Sequence, residues 1–220
     1  MKSIITLTLF TLAISSDIIM VGDSRTYLLA QDLFPIFQGY PLVTTDHPVY
    51  YGKHTVRFDC KPGAKIYDFK PNTELGNFLE NLLQKSAGSY VFLWIGINNV
   101  DIQSSYQETI SYYVYLANKY RAVNFIVFSI PGVNNNLIAG NHPATNQLVI
   151  QYNRFIKDRV NAATPLIPNL RYGDLVNDVS PWMTTDGYDI RPYLDEIGLH
   201  FNAVACRYFF NKMIQFLPDK

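Results

Sequence analysis

The chain has 220 residues, 18 basic and 18 acidic, and no formal net charge. That length suits one α/β domain with a real core, and a hydrophobic share of 48% excludes wholesale disorder. Charged residues make up only 16%, so the basic footprint of a DNA or RNA binder is missing, and two cysteines are too few for a disulfide scaffold or a thiolate zinc site.

The N-terminus reads Met1-Lys2-Ser3, then an apolar run from Ile4 to Ile14, then Ser15-Ser16. A basic start, a short apolar stretch and small residues after it are the layout of a secretory signal peptide. The expectation is a leader over residues 1–15 and a single domain over 16–220, secreted or extracytoplasmic. The run is shorter than the ~20 residues that span a bilayer, and Asp17 bars its extension, so no stable membrane span is expected. In an oxidising compartment Cys60 and Cys206 form one disulfide if the fold brings them together; the sequence leaves that open.

The elements follow in chain order. Residues 17–22 (DIIMVG) form a near-continuous apolar run ending in Gly, the pattern of a buried parallel strand. A helical pattern over 25–33 follows, then a weaker strand over 55–58. Residues 73–85 carry Leu75, Phe78, Leu79, Leu82 and Leu83 at helical spacing, with Thr73 as cap. Residues 90–95 (YVFLWI) predict a third strand, 106–120 a helix, and 124–130 (NFIVFSI) a fourth strand closed by Pro131-Gly132. A helix over 144–163 precedes a fifth strand over 166–172, which Pro168 demotes to an edge. A helix over 202–217, capped by Asn202, ends the chain. Alternating strands and helices predict an α/β fold: a three-layer α/β/α sandwich around a five-stranded parallel sheet.

In such sheets ligands bind beyond the carboxyl ends of the strands, which directs attention to three loops. After the first strand, Gly22-Asp23-Ser24-Arg25 places a serine at a strand-to-helix turn, where its own amide lies at a helix N-terminus. That suits a nucleophile and part of an oxyanion hole, and equally an N-cap serine. After the third strand, Asn98 in Gly96-Ile97-Asn98-Asn99 offers an amide to an oxyanion, or an Asx turn. Before the last helix, His200 in Ile197-Gly198-Leu199-His200 is a general-base candidate or a capping residue. His47 and His142 precede prolines and His54 opens a strand; these read as turn or surface residues.

Taken together and in this order, the three loops resemble the blocks of the SGNH (GDSL-type) hydrolase superfamily, in particular bacterial-type members with a Gly-Asp-Ser-Arg first block. The segment 145–153 (TNQLVIQYN) also resembles the N-x-x-I-x-x-(F/Y)-N helix start of those members. The resemblance runs from Asp17 to the end and implies a flavodoxin-like fold. It implies an ester hydrolase in which His200 activates Ser24, and an oxyanion hole made by the Ser24 amide, the Gly63 amide in Lys61-Pro62-Gly63-Ala64 and the Asn98 side chain. Neither cofactor nor metal is implied. The expected substrate is a small-molecule or carbohydrate ester, and the expected state a monomer. Tyr27, Trp182 and Tyr188 are candidates to line a sugar or acyl site, or to pack the core.

Two positions depart from the pattern. Ile197 stands where the family has the aspartate that orients the histidine, leaving Asp195 or Glu196, or a backbone carbonyl in a Ser-His dyad, as substitutes, and Asn99 stands where the family has aspartate. These departures keep a catalytically weak or inactive binding protein as one alternative. An acyltransferase using the same residues is the other.

Overall fold

The computed structural model describes residues 16–135 and 144–218. The expected leader over 1–15, and His142, lie outside the described residues. Among the described residues, seven strands form one sheet: β1 (Asp17–Gly22), β2 (Val43–Thr44), β3 (Val49–Tyr51), β4 (His54–Cys60), β5 (Tyr90–Trp94), β6 (Asn124–Phe128) and β7 (Leu170–Gly173). The five parallel strands run in the order β4-β1-β5-β6-β7. This is the flavodoxin-like order, with β1 at the point where the chain reverses its direction of travel across the sheet. Ile18, Ile19, Met20 and Val21 of β1 are almost wholly buried, as a central parallel strand covered on both faces requires.

Among the described residues, five α-helices flank the sheet: α1 (Ser24–Leu33), α2 (Glu74–Gln84), α3 (Gln103–Lys119), α4 (Asn146–Ala163) and α5 (Ala203–Ile214). Helices α1 and α5 pack together on one face. Helix α3 packs against α4 and is tied to α2 by Lys119 and Tyr115 on Glu80. Two expected caps are present: the Thr73 hydroxyl accepts from the Gly76 amide, and Asn202 accepts from the amides of Val204 and Ala205.

The structure differs from the sequence reading at the edges. β2 and β3 were not expected; both pair antiparallel with β4 and cover its outer edge. The fifth parallel strand starts at Leu170, beyond Pro168, while Leu166 lies exposed in the preceding turn. Proline cannot donate to the ladder, so pairing begins after it. Cys60 on β4 and Cys206 on α5 are buried, free thiols, which answers the pairing question the sequence left open. Among the described residues no helix is long and apolar enough to cross a membrane.

One buried group works against the fold. Both carboxyl oxygens of Asp59, on β4, are buried without a hydrogen-bond partner. Burial, with the nearby Glu74 charge adding to it, pushes this carboxyl well above the usual range. The folded chain thus holds this proton more tightly than the unfolded chain. Stability falls as pH rises from the ordinary carboxylate range towards the raised value. Asp59→Asn is expected to raise Tm, with the gain growing as pH rises above the ordinary carboxylate range. Melts showing a pH-independent difference would contradict this.

Candidate active site

The site begins with a close approach. A Cβ on Gly22 would lie 1.9 Å from Thr26 Oγ1 and 2.4 Å from the Trp94 carbonyl oxygen. The bare glycine lets the end of β1 sit against β5 while the Thr26 hydroxyl donates to Trp94 O at 3.1 Å. Asp23 then caps α1. One carboxyl oxygen accepts from the Arg25 amide at 3.0 Å and the other from the Gly96 amide at 3.2 Å. Complete burial raises the Asp23 carboxyl, while these amides and the Arg25 charge act in the opposite direction. The N-cap is therefore Asp23 rather than Ser24, which corrects the capping alternative for the serine. Ser24 opens the helix, and its hydroxyl bonds elsewhere.

That partner is His200. Its Nε2 stands 3.1 Å from Ser24 Oγ, and its Nδ1 stands 3.0 Å from Asp195 Oδ2. With the ring proton on Nδ1, His200 donates to Asp195 and accepts from the serine hydroxyl. The carboxylate five residues before the histidine reaches it because the segment folds back on itself. Leu194 bridges Phe201, the Asp195 amide donates to His200 O at 2.7 Å, and the Gly198 amide donates to Asp195 O at 2.9 Å. Asp195 and His200 are thus opposed across a small hairpin. The other Asp195 oxygen accepts from the Leu199 and His200 amides, at 2.9 and 3.1 Å, which fixes the carboxylate. Glu196 and Ile197 occupy the hairpin loop and are exposed. Of the two substitute carboxylates, Asp195 meets the ring and Glu196 does not.

The loops after β4 and β5 complete the site. In Lys61-Pro62-Gly63-Ala64 the Ala64 amide donates to Lys61 O at 3.2 Å, and Gly63 has φ +74°. Proline followed by a glycine of positive φ is the pattern of a type II turn. The Asn98 amide donates to Ala64 O at 3.0 Å, which binds the two loops together. Beside it, buried Asn99 accepts from the Ile66 amide at 3.2 Å, a supporting rather than a chemical contact. Ser24, Gly63, Asn98 and His200 line one open cleft of about 420 Å³, walled by Tyr27, Leu28, Pro62 and Leu199. A larger recess, of about 580 Å³ and bordered by His47, Arg57 and Lys85, contains none of these four groups.

Tyr27 is the one aromatic candidate on the cleft wall. Tyr188 stacks between Tyr193 and Tyr208, at centroid distances of 5.3 and 5.0 Å, and Trp182 lies under the Arg191 guanidinium. Of the remaining histidines, His47 is exposed and His54 is buried at the start of β4. Two groups stand in motifs already quoted from sequence, but the sequence reading assigned them no contacts. Asn153 and Asn146, seven residues apart on α4, hold the backbone of Ile130 and Val133 by paired bonds to N–H and C=O. Arg25 is buried among backbone carbonyls beside the site; an arginine inside the first turn of a buried helix, in a charge-poor chain, was the available signal.

No family model and no curated protein matches the chain by sequence. Solved structures do match its shape. A lipase/acylhydrolase from Enterococcus faecalis superposes over 93% of this chain and 98% of its own, with TM-score 0.58 and 15% identity. A candidate SGNH hydrolase from Slackia heliotrinireducens covers 91% and 98%, with TM-score 0.54 and 15% identity. A candidate arylesterase from Agrobacterium tumefaciens covers 92% and 100%, with TM-score 0.54 and 15% identity. The chain has the fold of the SGNH hydrolases.

Gly22→Ala is expected to destabilise the protein by about 1–3 kcal/mol through overpacking, because the new methyl meets a backbone carbonyl as well as the Thr26 side chain. Denaturant melts test this; a variant as stable as wild type would show that the β1–β5 approach tolerates a side chain.

Proposed function

We propose that the chain is a secreted serine ester hydrolase acting on carbohydrate or short acyl esters. The reading is carried by one observation: the hydrogen-bonded chain from Asp195 through His200 to Ser24, at 3.0 and 3.1 Å. In this reading His200 takes the Ser24 proton as Oγ attacks the ester carbonyl. Negative charge develops on the carbonyl oxygen. It is received by the Ser24 amide at the start of α1, the Gly63 amide and the Asn98 side chain. His200 then gives its proton to the departing alcohol, leaving an acyl-serine. Water, deprotonated by the same imidazole, releases the acid and restores the serine. Asp195 holds the ring in the tautomer this requires and stabilises the imidazolium that forms. No step calls for a metal or an organic cofactor.

The lipase, acylhydrolase and arylesterase names of the structural neighbours agree with ester chemistry. The open, largely apolar walls at Tyr27, Leu28, Pro62 and Leu199 favour an uncharged acyl group. Secretion is supported by the N-terminal pattern of residues 1–15. The inactive-binding-protein alternative rests on Ile197 and Asn99; Asp195, two positions before Ile197, stands 3.0 Å from the His200 ring, which supports the enzyme reading.

Wild-type protein is expected to hydrolyse p-nitrophenyl acetate and to be labelled by a fluorophosphonate. Ser24→Ala should lose at least about 10³-fold in kcat and all labelling. Equal turnover by the two proteins would remove the nucleophile assignment. Asp195→Asn should lower kcat by about 10²–10⁴-fold, whereas Glu196→Ala leaves it unchanged; the reverse order would transfer the orienting role to Glu196.

A further inference from the structure

We propose that Arg25 is a positioning residue for this site: its buried guanidinium fixes the backbone on both sides of His200 and so sets the reach of the imidazole to Ser24. The proposal rests on the hydrolase reading above, but it concerns a residue with no part in the bond-making steps.

Arg25 is only 2% exposed and, among the described residues, forms no ion pair at contact distance. A buried charge without a contact partner is costly, and a leucine or methionine would fill similar space without that cost. What the guanidinium does is specific. Nε and Nη2 both donate to the Leu199 carbonyl, at 3.1 and 2.9 Å; Nη2 also donates to Gly132 O at 2.9 Å, and Nη1 to Pro131 O. Its carbon lies 4.6 Å from the centroid of the Phe201 ring. Leu199 and Phe201 are the two chain neighbours of His200. The same loop that holds Pro131 also holds the hairpin, because the Asn134 amide donates to Gly198 O at 2.9 Å.

Arg25 also directly follows Ser24 in the first turn of α1. One short peptide therefore carries both the nucleophile and the clamp on the base. Any drift of the His200 hairpin away from Ser24 stretches bonds to Arg25. The charge is balanced through space by Asp23 and Asp195; burial still lowers the guanidinium to about 10, so it remains charged at neutral pH. Lysine cannot replace it. A compact ammonium lacks the planar fork that serves three carbonyls at once and the flat face that lies on Phe201.

The test compares Arg25→Ala and Arg25→Lys with wild type. Both are checked for folding by circular dichroism and assayed with p-nitrophenyl acetate. The expected result is a kcat loss of about 10²-fold, the size that follows from misplacing a catalytic group by about an ångström, with KM little changed. Millimolar guanidinium ion should restore part of the kcat of Arg25→Ala, and should do nothing for wild type or Ser24→Ala. The downfield proton signal of the His200 Nδ1–H bonded to Asp195 should shift or broaden in Arg25→Lys; this readout does not depend on turnover.

Folded variants with wild-type kcat and an unmoved His200 signal would overturn the proposal. So would a kcat loss that guanidinium leaves untouched in a folded Arg25→Ala. Unfolding of both variants would assign Arg25 to the fold alone and overturn it as well. Failure of the hydrolase reading looks different: wild type itself would then neither turn over ester nor take the fluorophosphonate label on Ser24.

Discussion

Ser24 can bond to a histidine 176 residues away because Asp23 takes over the work a serine at that position would otherwise do. A helix N-terminus exposes amides that need acceptors, and the Asp23 carboxylate supplies them for Arg25 and, across the sheet, for Gly96. One buried side chain therefore caps α1, ties the β1 turn to the β5 loop, and releases the serine hydroxyl. The arrangement depends on Gly22, since any side chain there would collide with Thr26 and Trp94 O. The parallel order of the sheet then brings the β4 and β5 loops to the same end as Ser24.

A charge-poor chain builds this end of the molecule mainly from bonds between side chains and backbone. Arg25 donates to carbonyls, Asn153 and Asn146 clasp loop backbone, and Asn98 holds Ala64 O. Such bonds fix loop positions without needing a second side chain at each contact. They are also directional, so the loops become parts of a rigid frame rather than covers over it. The α1–α5 face adds an aromatic floor: Trp94 stacks on Phe201 with ring planes 6° apart and tilts against Phe209. The residue that follows His200 is thereby packed into the core, and the histidine inherits its fixity.

Much of this was legible in the chain. DIIMVG and YVFLWI are long apolar runs with turn signals after them, and buried parallel strands need little else to be recognised. The caps at Thr73 and Asn202 and the position of Ser24, Asn98 and His200 at loop ends followed from the same patterns. β2 and β3, at two and three residues, are shorter than any periodicity can register, and they exist because β4 offers an unpaired edge. The start of β7 shifted because a proline overrides an apolar run. The carboxylate partner of His200 was narrowed to Asp195 and Glu196 and no further, since adjacent residues point in different directions and only the local fold says which direction counts.

The sequence by itself determined the fold class and the order of the loops at the carboxyl end of the parallel sheet, because burial on two faces and helix periodicity are properties of neighbouring residues. It also carried the serine, the asparagine and the histidine, each at the end of a readable element. The tertiary structure decided which groups touch. The hairpin over 194–201 opposes Asp195 to His200 and leaves Glu196 and Ile197 exposed, and Cys60 on β4 and Cys206 on α5 are buried free thiols. The buried position of Arg25 likewise appears only when the loop after β6 and the loop before α5 converge on it. Contacts between residues far apart in sequence are set by how layers pack, and no local pattern in the chain encodes that distance.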